Sequence, residues 1–162
     1  MNAEHLQTAV TLMREINVMS LSTCAGDAPW AASVFFVADD ALRLYFVSSG
    51  SSRHGENMLA NSRAAATINR DHDNWLTIRG LQLEGQVGVV PGSDRDSVLS
   101  LYLDKFSAIA SLRDSPSTEE ERKIVDRLML ADFYCLTPDW LRLIDNSAGF
   151  GFKAKLVPPF GK

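Results

Sequence analysis

Two cysteines and three histidines are the whole stock of thiol and imidazole ligands in these 162 residues. Cys24 and Cys135 lie far apart, form no Cys-x-x-Cys pair and sit in no secretory context, so the chain is expected to use no disulfide scaffold. His5, His54 and His72 are equally scattered, so no four-ligand zinc pattern assembles from local spacing and no metal is expected. Long hydrophobic runs are missing too. No stretch approaches the ~18 consecutive apolar residues of a membrane span, and no basic segment leads into an apolar run at the N-terminus. Neither a membrane association nor a signal peptide is expected, which makes the cytoplasm the default location. Positive charge is also scarce, with 16 Lys and Arg against 20 Asp and Glu, a net charge of −4. That balance argues against a nucleic-acid partner.

What is present is an ordinary globular composition, 46% apolar and 22% charged. A chain of this length can build a core unaided, and residues 1–162 read as a single domain. From Ala3 to Ile16, Leu6, Val10, Met13 and Ile16 recur at three- and four-residue steps, which predicts an amphipathic helix lying against a sheet. Strand signals follow at Val18 to Thr23, a Gly26-Asp27 turn, and Trp30 to Val37. The second of these strands is apolar on both faces. Such a strand is either central in a packed sheet or covered from one side by a partner, because one-sided antiparallel strands alternate with polar residues. After Asp39-Asp40, Leu42, Leu44 and Phe46 alternate with Arg43, Tyr45 and Val47 and complete a hairpin.

Arg53 to Asn61 predicts a short helix with serines placed to cap it, and Ala64 to Asn69 a return strand. Between Trp75 and Val90 the alternation changes phase, since Leu76 and Ile78 are even whereas Leu81, Leu83, Val87 and Val89 are odd. A β-bulge at Gly80 is the expected cause. Helices are predicted at about Asp94 to Lys105 and Glu119 to Leu128, the second with capping boxes from Ser117 and Thr118. Phe133 to Thr137 and Trp140 to Asp145 predict a closing hairpin around Pro138-Asp139. Strands dominate and segregate from helices, so the expected class is mainly β with flanking helices.

The segment that carries chemistry is Ser48-Ser49-Gly50-Ser51-Ser52-Arg53-His54-Gly55-Glu56-Asn57. Free N–H groups at a helix start, serine hydroxyls and an arginine together supply what a phosphate monoester needs, directed donors plus positive charge. A plain polar loop before a capped helix has the same composition. Asp71-His72-Asp73-Asn74 reads as a solvated turn, because adjacent turn positions point different ways. Glu119-Glu120-Glu121 matches the preference for acids in a first helical turn. Trp75 and Trp140 read as core or interface residues.

Taken together, Pro29 to Phe36, the hairpin into Leu44-Tyr45-Phe46-Val47-Ser48, then Ser52-Arg53-His54 and Asn57, and Arg79-Gly80-Leu81-Gln82-Leu83-Glu84-Gly85 resemble the pyridoxamine 5'-phosphate oxidase-like split-barrel family that binds flavin mononucleotide (FMN). The closing Asp145 to Lys153 is similar to an uncharacterised bacterial branch of it. The resemblance implies a six- to seven-stranded antiparallel split β-barrel and a homodimer with two FMN molecules wedged between subunits. It implies that Ser52, Arg53 and His54 hold the phosphate, with Asn57 in the same motif. Ser33, Val34, Phe35, Val47 and Ser48 would line the flavin, and Gln82 would offer a further polar contact. Two departures stand out. His54 occupies a place where pyridoxamine phosphate oxidases carry a second fixed cation, and Lys155-Leu156-Val157-Pro158-Pro159-Phe160-Gly161-Lys162 lacks the arginine and histidine that bind pyridoxal phosphate, so that substrate is not expected. The implied function is a flavin-dependent oxidoreductase of unknown small-molecule substrate or reductant, with no catalytic side chain named. The alternatives are a non-catalytic dimer that binds or senses FMN or haem, and a purely structural dimer.

Overall fold

The computed structural model describes residues 3–159. Its elements in chain order are α1 (Ala3–Glu15), β1 (Val18–Ala25), β2 (Ala28–Ala38), β3 (Leu44–Ser48), α2 (Arg53–Ala60), β4 (Arg63–Asn69), β5 (Arg79–Val89), α3 (Arg95–Lys105), α4 (Ser107–Asp114), α5 (Glu119–Leu130), β6 (Asp132–Asp145) and β7 (Lys153–Leu156). The strands order as β3-β2-β1-β4-β5-β6-β7, and β3 also pairs with β6, so six antiparallel strands close into a barrel with β7 added outside β6. Closure gives every barrel strand a neighbour on both sides, which removes the exposed edges that an open sheet presents.

The period-two pattern becomes an inside and an outside. Met19, Leu21, Phe36, Leu44, Phe46, Ile68, Leu81, Leu83, Leu136 and Leu141 point into the barrel and are essentially inaccessible. Ala9, Leu12 and Met13 of α1 join the same cluster, with Leu6, Val10 and Ile16 partly buried against it. A second cluster forms outside the wall, where Val37, Tyr45 and Phe133 meet Val98, Leu99, Tyr102, Leu103 and Phe106 of the α3 region and Leu128 of α5.

Several elements differ from expectation. Trp75–Thr77 is a 3-10 turn rather than strand, capped by Asn74, whose Oδ1 accepts from Leu76 N at 2.9 Å. Strand β5 therefore starts at Arg79 and needs no reset at Gly80; the change of phase marks the strand's beginning. Gly80 is required for another reason, since a Cβ there would meet Asn69 Oδ1 at 2.2 Å. The irregularity lies further on, where Glu84 pairs with Trp140 but Gly85 with Pro138, leaving Asp139 as the extra residue. The expected closing hairpin is thus one bulged strand, with Pro138 at the bulge, where a missing N–H is tolerated. Helix α4 and strand β7 lacked a readable signal. The Thr118 capping box on α5 is formed as expected.

Lys105 ties the layers together. Its Nζ donates to Met13 O at 2.9 Å, Ile16 O at 2.8 Å and Phe36 O at 2.9 Å. Met13 O lies in the last turn of α1, where no intrahelical donor is available, and Ile16 O just past the helix end. The ammonium also lies 4.2 Å from the Phe36 ring centroid. Burial pushes its pKa down to about 8.

Two stability outcomes follow from this packing. Lys105→Met should leave the three carbonyls without their donor and cost about 2–3 kcal/mol, read by chemical denaturation. Gly85→Ala should cost roughly 2 kcal/mol or more, because its Cβ would lie 2.0 Å from Thr137 O and 2.8 Å from Pro138 Cα, both backbone atoms. An unchanged denaturation midpoint for Gly85→Ala would show that the bulge yields.

Candidate functional site

The serine bend lies where β3 leaves the barrel wall. Ser48 pairs with Asp132 at the last rung of the β3–β6 ladder, and five residues later α2 begins. Ser52 is the N-cap of α2, with Oγ accepting from Gly55 N at 3.1 Å and donating to Ser49 O at 2.7 Å. Gly55 permits this tight fold, since a Cβ there would sit 2.5 Å from Ser49 O and 2.8 Å from Gly50 O. The bend is therefore clamped onto the first turn of the helix, with that turn's N–H groups at its mouth.

Inside the clamp, Ser48 Oγ lies 2.6 Å from His54 Nε2 and 3.2 Å from Ser52 Oγ. Burial lowers the His54 pKa below the ordinary imidazole value, so the ring is neutral at pH 7. Arg53 projects from the same turn and rests on Trp30, its Cζ 4.3 Å from the ring centroid. It makes no ion pair among the described residues. A planar guanidinium stacked in this way keeps its N–H edges free for a bidentate acceptor. No local pattern pairs Arg53 with Trp30, because the contact arises from α2 packing on β1 and β2, where Asn57 is bonded to Thr23 and Thr23 pairs with Trp30.

The remaining candidates divide by strand face. Ser33 and Phe35 project outward from β2 and are exposed; Phe35 is 51% accessible and meets Phe106 edge-on at 5.5 Å. Val34 points into the barrel core and is 8% accessible, so only its backbone is available on that side. Val47 is half-buried against the second cluster. Asn57 is buried and its Nδ2 donates to Thr23 Oγ1 at 3.1 Å, which anchors α2 to β1. Its side chain is a positioning element beneath the bend.

Gln82 faces outward from β5 within one cross-strand row. Ser33 pairs with Ser20, Ser20 with Thr67, Thr67 with Gln82, and Gln82 with Arg142. Around it, Val18, Ser22, Ala31 and Ala65 are exposed on the same outer face. The result is an exposed face of mostly small and neutral side chains, bordered by Glu84 and Arg142 and by the Phe35–Phe106 contact. The β2 strand, apolar in sequence on both sides, thus buries one face in the barrel and leaves Ala31, Ser33 and Phe35 on the outer face.

Chemically, the bend presents the first N–H groups of α2 and one guanidinium without an ion pair among the described residues, donors of the kind that suit an anion. Asp145 ends β6, at the opposite end of that strand from the Asp132 that pairs with Ser48 of the bend. Burial alone would raise the Asp145 pKa, but bonds from Ser147 and Arg79 outweigh that and hold the carboxyl below its usual value. Asp71, His72 and Asp73 form no metal cluster, and none is found among the described residues. No helix among them is long and apolar enough to cross a membrane.

Comparison with known proteins bears on the family and the fold. The pyridoxamine 5'-phosphate oxidase family profile matches residues 6–142. The chain is 25% identical over 138 residues to a UPF0306 protein of Klebsiella pneumoniae strain 342, covering 85% of this chain and 82% of that one. A UPF0306 protein of Photorhabdus laumondii is 26% identical over 161 residues, covering 94% and 96%. Among solved structures, a heme binding protein from Mycobacterium smegmatis superposes with a TM-score of 0.70 at 18% identity, over 97% of this chain and 59% of that one. Campylobacter jejuni ChuZ superposes with a TM-score of 0.71 at 16% identity, over 99% and 64%. At such identities the structures speak to the fold alone, and the fold is that of a split barrel. Since the family profile spans most of the sequence and the closed barrel is the architecture it requires, the chain belongs to the pyridoxamine 5'-phosphate oxidase family, alongside the UPF0306 proteins.

Proposed function

We propose that this protein binds FMN in a cleft between two copies of the chain and serves as a flavin-dependent oxidoreductase for a small molecule. The observation that carries the reading is the clamped bend, in which α2 N–H groups, Ser48, Ser52, the free edge of Arg53 and the neutral His54 converge beside the exposed face. The donors still free there, the first N–H groups of α2 and the Arg53 guanidinium, suit a phosphate monoester. The ring system would lie along the Ser33 to Phe35 backbone and Val47-Ser48, with Gln82 offering a polar contact. A second copy would cover the remaining ring face, for which that mostly small and neutral face is suited. When bound, flavin supplies the hydride or electron chemistry, and the protein contributes binding, orientation and exclusion of water.

A haem-binding reading has one specific support. A neutral imidazole is a good iron ligand, and His54 is neutral for a structural reason. The Mycobacterium smegmatis neighbour is described as a heme binding protein. Purification followed by absorbance spectroscopy and identification of the released cofactor separates the two readings. A flavin spectrum bleached anaerobically by NAD(P)H or another reductant supports the oxidoreductase, flavin that no reductant touches supports a sensing module, and a haem band supports the second reading.

Arg53→Ala should weaken FMN binding by about tenfold or more through loss of a charge-assisted phosphate contact, while leaving the weaker binding of riboflavin unchanged. Equal losses for both would place Arg53 on the ring instead. A bound phosphate should raise the pKa of His54 from its burial-lowered value, so binding takes up a proton and affinity should decline as pH rises from below 6.5. His54→Gln should flatten that profile in a fluorescence-quenching titration.

A further inference from the structure

A second recess lies on the other side of the barrel wall, away from the serine bend. It is a groove of about 600 Å³ between α3 and the outer faces of β3, β6 and β5. Along β3, five residues separate Arg43 at this groove from Ser48 at the bend, about 17 Å of strand. The groove is within the volume range of small-molecule pockets.

Its floor is opened by a glycine. Cys135 pairs with Tyr45 on one side and Gly88 on the other, and the next outward position, Thr137, pairs with Gln86. A Cβ at Gly88 would meet nothing within 4 Å, so a side chain there would project into the open space of the groove. Val98 and Leu101 of α3 supply an apolar wall, continued by Val89 and Pro91.

The polar groups at the Arg43 end are unequally spent. Asp39 Oδ1 accepts from Ala41 N at 3.0 Å and Arg43 N at 2.9 Å, while Oδ2 accepts from Arg43 Nε at 2.7 Å and Tyr45 OH at 3.2 Å. That carboxylate has no acceptor capacity left for a ligand. Gln86 Oε1 accepts from Ser62 Oγ at 2.7 Å. The groups still free are donors: both terminal nitrogens of Arg43 and the Gln86 amide nitrogen make no hydrogen bond among the described residues. Asp94 lies on the opposite, α3 side and accepts from Ser93 Oγ.

We infer that this groove is a second ligand site, for a small, flat carboxylic acid whose carboxylate meets the Arg43 guanidinium and whose apolar body lies over Gly88 against Val98 and Leu101. At the Arg43 end, where Asp39 is already ion-paired through Arg43 Nε, the two terminal guanidinium nitrogens and the Gln86 amide favour an oxygen-rich head group. Asp94 sets the direction by repelling a carboxylate from the α3 side. The site is independent of the flavin proposal, since it shares no residue with the bend.

The probe is 2-naphthoate, titrated against the full chain by fluorescence anisotropy, with 2-naphthylamine as the probe lacking the acid. Saturable binding of the acid, weakened about tenfold by Arg43→Gln through loss of the charge-assisted pair, supports the site. Gly88→Val should weaken it similarly by filling the floor, with an unchanged melting temperature. If Gly88→Val does not fold, Arg43→Gln and the amine decide. The inference is overturned if wild type shows no saturable binding, if the amine binds as tightly as the acid, or if the folded variants bind like wild type.

Discussion

Pairing of β3 with β6 is the constraint on which the rest depends. Five rungs, from Leu44–Leu136 to Ser48–Asp132, join the two ends of a six-strand sheet. Without them, β3 and β6 would each present an unpaired edge, and the wall would have no fixed interior. With them, Leu44 and Phe46 are sealed inside while Tyr45 faces outward beneath the helices. A strand of only five residues thus specifies both clusters.

Closure also fixes where chemistry can occur. Ser48 is the final rung of that ladder, so the bend begins from a rigid point. Ser52 then caps α2, Asn57 ties the helix to β1, and Arg53 settles on Trp30 of β2. Three elements therefore hold the donors in place before any ligand arrives, which reduces the ordering cost of binding. The groove at Arg43 relies on the same strand from its opposite end, where Asp39 organises the turn that precedes β3. Lys105 performs a comparable task for the helices, pinning α3 to the end of α1 and to β2 through three carbonyls.

Much of this organisation was legible in the residues. The α1 stripe, the hairpin around Gly26, the capped α2 and the Thr118 capping box depend on neighbours within a few positions, and each formed as read. The errors share a cause. A change of phase at Gly80 looks the same whether a bulge resets a strand or a strand has just begun, and Pro138-Asp139 looks the same as a turn or as a bulge. Partner strands decide both cases: Asn69 covers Gly80, and Glu84 and Gly85 bracket the extra Asp139. For the site, the serine bend and its arginine were visible, but the inward aim of Val34 and the engagement of Asn57 with Thr23 were not.

By itself, the sequence determined the alternation of its strands, the caps of its short helices and the anion-ready composition of one bend, because these are written in residues a few bonds apart. Only the tertiary structure decided which face of β2 stays open, what Arg53 rests on, where the extra residue of β6 falls and that Gly88 opens a groove. Each of those depends on register between strands far apart in the chain, and register is set by the mutual burial of side chains that no local pattern contains.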